Sequence, residues 1–278
     1  MTTPDIGNFE TGDHLGNFVI LEKIDESDVH ISYSAVDKVL DRHVAVKILR
    51  GPYSEDRAVL SKFKEKAREV SDLSHKHIGQ LYSIGFDEGV YYLATSYIRG
   101  FTLEDWLLDD RTFDAQMALW FMTQTVAALE FASRSNILHL NIRPVVFVVD
   151  WDNIVLLINM GLVQCRNLLV GVEKYDCLGT PTYASPEHIS GAPTDSRSDM
   201  YCLGATLFHL MAGQPPFEAP TSDGVCQAHL LDPFPENKAL ELGIPIAWIK
   251  LLRRLMEKEP EKRFQTYQEL SVSLMSVT

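Results

Sequence analysis

The stretch Ile137-Leu-His-Leu-Asn-Ile-Arg-Pro144 sets a ring, an amide and a guanidinium among aliphatic side chains. It follows a long amphipathic segment, Asp114 to Arg134, and precedes two short strands that flank Trp151-Asp-Asn153. The amide of Asn141 cannot act as a base at neutral pH. Val146, just beyond the stretch, cannot ligate a metal. The loop carries polar side chains but no carboxylate.

At 278 residues the chain is long enough for a two-lobed domain with a large core. Its apolar fraction of 46% and charged fraction of 23% are ordinary for a soluble globular protein. A formal net charge of -13 argues against a nucleic-acid partner, which needs a basic footprint. Cys165, Cys177, Cys202 and Cys226 show no C-x-x-C pairing and no histidine at metal spacing, so free thiols in a reducing cytosol are expected. Met1 to Glu10 lacks the basic-then-apolar build of a signal peptide. The apolar runs Val145–Val149 and Ile154–Ile158 are strand length, far short of the roughly 20 residues of a membrane helix. A cytoplasmic segment without membrane contact of its own is expected. Any membrane anchor of a larger protein would lie outside these residues.

Residues 1–16 read as a polar lead-in. Strands are expected at Asn17–Ile24, Ile31–Val36, Val44–Leu49, Ile78–Phe86 and Val90–Ser96, with Asp87-Glu-Gly89 as a hairpin turn. A helix over about Ser54–Leu73 interrupts them, with Phe63, Ala67 and Val70 at helical spacing. After Gly100 the pattern turns helical: Leu103–Leu108, Asp114–Arg134, Asp199–Met211, Ala247–Met256 and Tyr267–Met275. The expected architecture is α+β, with a five-stranded antiparallel lobe carrying one main helix over residues 1–98 and a mainly helical lobe over 99–278.

Several motifs fall in one order along the chain: Val44-Ala-Val-Lys47, Tyr92 to Gly100, His139 to Pro144, Asn159-Met-Gly161, Gly179 to Glu187, Asp195 to Gly204 and Glu261-Lys-Arg-Phe264. Together they resemble the protein kinase superfamily, in the flavour of bacterial receptor-type Ser/Thr kinases, over roughly Leu15 to Thr278. The resemblance implies that Lys47 would pair with nucleotide phosphates. Thr95 would be the gatekeeper, followed by hinge residues Ser96, Tyr97 and Ile98. Ala45 and Val148 would line an adenine slot, with Ser32 in place of a Val. Val70, His139 and Met160 would form the stack linking the lobes. Asp199 would hold the catalytic-loop backbone, and Glu187 would pair with Arg263.

The same resemblance exposes what is missing. The loop pattern H-R-D-x-x-x-x-N puts Leu140 at the Arg, Asn141 at the catalytic Asp and Val146 at the metal-binding Asn. Asn159 stands at the metal-holding Asp of D-F-G. Asp25, Ser27 and His30 occupy the three glycine positions of the phosphate loop, where Cβ atoms block close approach and Asp25, Glu26 and Asp28 add negative charge. Lys66 takes the place of the helix Glu that pairs with the strand Lys; either a small rotation brings Glu69, one turn on, toward Lys47, or Lys47 stays a solvated lysine. Between Gly161 and Gly179 there is no Ser or Thr to phosphorylate, only Tyr175. His139, Arg143 and Lys47 remain.

The expectation is a degenerate kinase-like domain, a pseudokinase, that binds and regulates a protein partner such as an active kinase or signalling protein. It would need no cofactor, with ATP at most weakly held and without magnesium. A contact face could include Leu168-Leu-Val170, unless those residues pack inside the lower lobe. Two alternatives stay open: a weakly active or unconventional Ser/Thr kinase resting on Lys47 and Arg143, and a metal-independent nucleotide sensor.

Overall fold

Strands form in the first third because β-branched and aromatic residues alternate there between polar turns. The computed structural model describes residues 8–27, 30–50, 53, 56–170 and 181–277. Asp28, Tyr175, Cys177 and Gly179 lie outside them. The chain divides into two compact units, one from 1–74, 79–99 and 162–173, the other from 75–78, 100–161 and 174–278.

The first unit holds an antiparallel sheet of six strands, not five: β1 (His14–Leu15), β2 (Phe18–Glu26), β3 (His30–Asp37), β4 (Arg42–Leu49), β5 (Leu81–Asp87) and β6 (Val90–Ser96). They are ordered β1-β2-β3-β4-β6-β5. The extra strand comes from the supposed lead-in: Leu15 is fully buried and pairs with Phe18. Phe9 packs edge-on against Tyr33, whose hydroxyl accepts from the Phe9 amide. A few scattered apolar residues in a polar segment are too weak a periodic signal to announce a two-residue strand.

Helix α1 (Arg57–Ser71) starts after Asp56, whose carboxylate accepts from the Ala58 amide at 2.7 Å. It buries Phe63, Ala67 and Val70, the three residues expected. A second helix of this unit, α4 (Leu162–Val170), packs against α1. It is an element beyond those expected from the sequence, and its Leu162, Cys165, Arg166 and Leu169 are all buried at helical spacing.

The second unit opens with β7 (Gly100–Thr102) and α2 (Leu103–Leu108), then α3 (Ala115–Ser133). Strands β8 (Phe147–Asp150) and β9 (Val155–Leu157) join β7 in a three-stranded antiparallel sheet. Ile78 is not in a sheet strand of the first unit but bridges Leu157 here. The remaining helices are α5 (Pro186–Ser190), α6 (Ser196–Ala212), α7 (Ser222–Leu231), α8 (Glu236–Glu241), α9 (Ile246–Leu255) and α10 (Tyr267–Leu274). Helix α6 is buried nearly all round, as a helix at the centre of a core must be. A Cβ at Gly204 would come within 2.8 Å of Leu255 Cβ, so the missing side chain lets α6 and α9 approach closely. Among the described residues no helix is long and apolar enough to cross a membrane.

Candidate functional site: a kinase-like loop without its carboxylates

The loop His139–Val146 owes its shape to a clamp from α6. Asp199 is buried, and its two carboxylate oxygens accept from the backbone N–H groups of His139 and Leu140, each at 2.8 Å. Leu140 can therefore hold a left-handed backbone (φ 58°), which a β-carbon ordinarily disfavours. Burial pushes the Asp199 carboxyl up to about 6, with the two amides opposing the shift.

His139 is buried between two backbone groups. Its Nε2 lies 2.9 Å from the Ile158 carbonyl, and its Nδ1 accepts from the Asn141 amide at 3.2 Å. These partners require a neutral ring with the proton on Nε2. Burial lowers its pKa to about 4. The histidine braces the loop and is not available as a base.

Asn141 follows at the position of the catalytic carboxylate and contributes no charge. Arg143 is retained, and its Nε is buried without a hydrogen-bond partner. Val146 is 1% exposed and exchanges only backbone bonds, its amide donating to the Arg143 carbonyl and its carbonyl accepting from Ile158. Asn159 has a left-handed backbone (φ 68°) and a buried Oδ1 that accepts from nothing. That orphaned oxygen is the one side-chain acceptor left at the family's metal positions. It is neutral, and a hard divalent cation wants several charged oxygens. Among the described residues no group of three or more His, Cys, Asp or Glu could hold a metal. The residues present do not fit magnesium.

In the first unit Lys47 is 5% exposed, and its Nζ donates to Ser32 Oγ at 3.2 Å. Burial brings its pKa down to about 8, and the charge of Asp25 partly opposes this. Glu69 does not take the place of the missing helix partner: its Oε2 is 2.5 Å from Lys66 Nζ, three residues back on α1. Lys66 and Glu69 satisfy each other, and Lys47 is left with a hydroxyl.

The negative charge of Glu26, at the phosphate-loop position, is offset by two cations. Glu26 pairs with both Lys23 and Arg50, which hold its carboxyl below the usual range. His30 is buried, with Nδ1 3.2 Å from Ser27 Oγ and Nε2 3.9 Å from Asp25. Asp25, Ser27 and His30 thus put side chains at positions where glycines would leave backbone N–H groups open. Beyond it, Thr95 Oγ1 reaches the Ala45 carbonyl at 3.4 Å, and the Ser96 amide donates to Gln80. Tyr97 packs edge-on to His43, and Ile98 is half-buried in an irregular segment. Ala45 in β4 and Val148 in β8 are both 7% exposed.

Arg263 and Glu187 form a buried bidentate pair at 2.7 and 2.8 Å. Leu169 is fully buried and Leu168 half-buried, on the helix that packs against α1. Leu168 and Leu169 thus belong to the first unit and not to the lower lobe. The side chain of Val170 lies outside the described residues. Cys165, Cys202 and Cys226 are free thiols.

Comparison with known proteins agrees with the motif order. The protein kinase domain family matches residues 19–274. A probable serine/threonine-protein kinase of Clostridium acetobutylicum is 31% identical over 94% of this chain and 40% of its own length. The serine/threonine-protein kinase PknB of Mycobacterium leprae is 30% identical over 100% of this chain and 44% of its own. The chain thus spans less than half the length of these relatives. The crystal structure of the Mycobacterium tuberculosis PknI kinase domain superposes with a TM-score of 0.74 at 21% identity, covering 98% of this chain and all of that one. The chain belongs to the protein kinase domain family, has its two-lobed fold, and counts bacterial serine/threonine kinases among its relatives.

Proposed function

We propose that this domain is a catalytically inactive member of the family that works as a protein-binding regulatory or scaffolding module. The observation that carries the reading is the chemistry of three positions. Asn141 replaces the base, and Asn159 and Val146 replace the metal ligands. Loss of the base alone removes about 100- to 10,000-fold in rate. Loss of the metal leaves the developing phosphoryl charge unneutralised. The arrangement of Lys47 on Ser32 and of Glu69 on Lys66 supports the same reading, because the ion pair that orders an active site in this family has no counterpart. The partner is a protein, with an active kinase or signalling protein as the first choice, and ATP is held weakly and without magnesium.

Thermal melting with ATP, with and without magnesium, tests the reading directly. The expected result is a small shift that does not depend on the metal. Robust magnesium-dependent stabilisation overturns it. A second reading, residual phosphotransfer, is favoured by the retention of Arg143 with an unpartnered Nε and by the names of the relatives. Radiolabelled phosphate incorporation that disappears in Lys47→Ala would establish it.

A further inference from the structure

Two helices of the second unit hold one turn through two histidines. The turn Pro181–Tyr183 packs against α6 and α7. Nε2 of His229, on α7, lies 2.9 Å from the Thr182 carbonyl, and Nδ1 of His209, on α6, lies 2.7 Å from the Tyr183 hydroxyl. The Tyr183 and His209 rings also stack, 5.9 Å apart with their planes at 18°. Thr182, Tyr183 and Ala184 are only half-buried, so the turn reaches the surface. The charges of Glu104 and Arg143 both act on the Tyr183 hydroxyl, which places the turn beside the loop that carries Arg143.

The hydrogen bonds of His229 fix its protonation. A carbonyl only accepts, so Nε2 bears a proton toward Thr182, and in a neutral ring Nδ1 must then accept. It does so from the Tyr201 hydroxyl at 3.0 Å. The Tyr201 oxygen accepts in turn from Lys258 Nζ at 3.3 Å, and that ammonium also donates to the carbonyls of Ala228 and His229 at 3.1 and 2.7 Å. A second proton on His229 would set two donors, its own Nδ1–H and the Tyr201 O–H, against each other. It would also bury a second cation beside Lys258, since His229 is fully enclosed.

Burial lowers the pKa of His229 to about 4, with the Thr182 carbonyl opposing the shift and Lys258 adding to it. Helix α5 also packs on α7 and brings His188 and Glu187, the latter held by Arg263. Asp232, Arg263 and Glu257 act on Lys258. Burial lowers His209 as well, with Glu218 opposing and Lys238 adding, and those two pair with each other at 2.7 Å. We infer that His209 and His229 form an acid-released latch, which holds the turn Pro181–Tyr183 to α6 and α7 while both rings are neutral and frees it as they take up protons.

The direction follows from where the proton binds more tightly. A freed His229 titrates at an ordinary 6.5 and a held one at about 4, so acid favours the freed turn. From pH 7 to 5 the opening equilibrium rises about twentyfold through His229 alone. Lys258, with a pKa of about 8, stays protonated over that range. The latch makes no use of Asn141, Val146 or Asn159, so it does not depend on whether the domain transfers phosphate.

The test is amide hydrogen exchange of the full 278-residue chain at pH 7 and 5, each rate divided by the intrinsic rate at that pH. Helix α3 serves as the reporter of global unfolding. The expected result is protection over 182–185 that lies below that of α3 at both pH values and falls about twentyfold or more between them. The double variant His209→Gln, His229→Gln keeps polar amides but cannot take up protons, and it should show a fall of less than about threefold. A turn as protected as α3, protection that does not change with pH, or a double variant that keeps the full fall would each overturn the inference. Should the double variant fail to fold, NMR of the histidine rings in the unaltered chain decides. His229 should be the neutral Nε2–H form at pH 7 and should gain its proton in step with the loss of protection. A protonated or Nδ1–H ring at pH 7 overturns the latch.

Discussion

Arg263 donates from Nη1 and Nη2 to the two carboxylate oxygens of Glu187, and it spends its remaining donors on the carbonyls of Arg197, Glu257 and Lys258. Burial raises the Glu187 carboxyl, but the hydrogen bonds and charge of Arg263 more than offset this and hold it below its ordinary value. Removing one partner strands a buried charge. Arg263→Ala should cost about 3–5 kcal/mol in urea unfolding. Arg263→Lys should rescue little of it, because an ammonium cannot reproduce the fork. A loss under about 1 kcal/mol for Arg263→Ala would refute this account.

Lys47 presents the opposite case, a buried cation with only a hydroxyl and a nearby Asp25 to balance it. Its folded pKa of about 8 lies below the unfolded 10.5. The fold therefore penalises the charged form, fully below about pH 8 and progressively less as pH rises toward 10.5. Lys47→Met should stabilise the domain by on the order of 1–3 kcal/mol at neutral pH. The gain should shrink near pH 10. A destabilised Lys47→Met would show that Lys47 has a better partner than Ser32.

Three buried histidines of the second unit, His139, His188 and His229, have pKa values brought down to about 4 by burial. Each binds its proton first in the unfolded chain, so its contribution is complete above 6.5 and is lost as pH falls toward 4. Asp199 works the other way: its pKa is raised from 3.8 to about 6, so protonation in that window favours the fold. Three protons against one leave a net loss of at most on the order of 3 kcal/mol per pH unit between about pH 6 and 4. Urea titrations near pH 7, 6 and 5 should show falling midpoints. Midpoints that hold level or rise would contradict the neutral histidines.

Restoring the family's residues should not restore its chemistry. The combination Asn141→Asp, Val146→Asn and Asn159→Asp should recover little phosphate incorporation, because Lys66 and the side chains of Asp25, Ser27 and His30 remain. Val146→Asn alone places an amide at a site 1% exposed and should cost about 1–3 kcal/mol unless a partner group reaches it. Phosphotransfer by the triple variant at a rate typical of the family would show that the scaffold was closer to competent than these positions imply.

Leu169 tests the placement of α4. Its truncation to Ala should cost about 2–5 kcal/mol, as for other fully buried leucines. Leu168→Ser, at a half-buried position, should cost less. A silent Leu169→Ala would mean that α4 does not pack on α1.

Long, strongly periodic elements could be read directly from the residues. Phe63, Ala67 and Val70 announce α1, and Asp114 announces the start of α3, whose Met117 amide it caps at 2.8 Å. Short or irregular pieces could not. The two-residue β1 and three-residue β7 carry too few side chains for any period to show. Helix α4 was legible in principle, since Leu162, Arg166 and Leu169 fall on one face, but its position just after Asn159-Met-Gly161 invited a loop reading. At the site, the identities of Asn141, Val146 and Asn159 were plain in the sequence. The pairing of Lys66 with Glu69, of Lys47 with Ser32 and of Glu26 with Arg50 was not, because a choice among several nearby opposite charges depends on side-chain geometry.

The clamp of Asp199 on the His139 and Leu140 amides has a further consequence. It is anchored sixty residues away in a helix buried nearly all round, so the segment bearing Asn141 and Arg143 keeps its form whether or not anything sits above it. A visiting molecule would find that surface already frozen, and would forgo the roughly 0.5–1.5 kcal/mol per side chain that stilling a loose loop consumes.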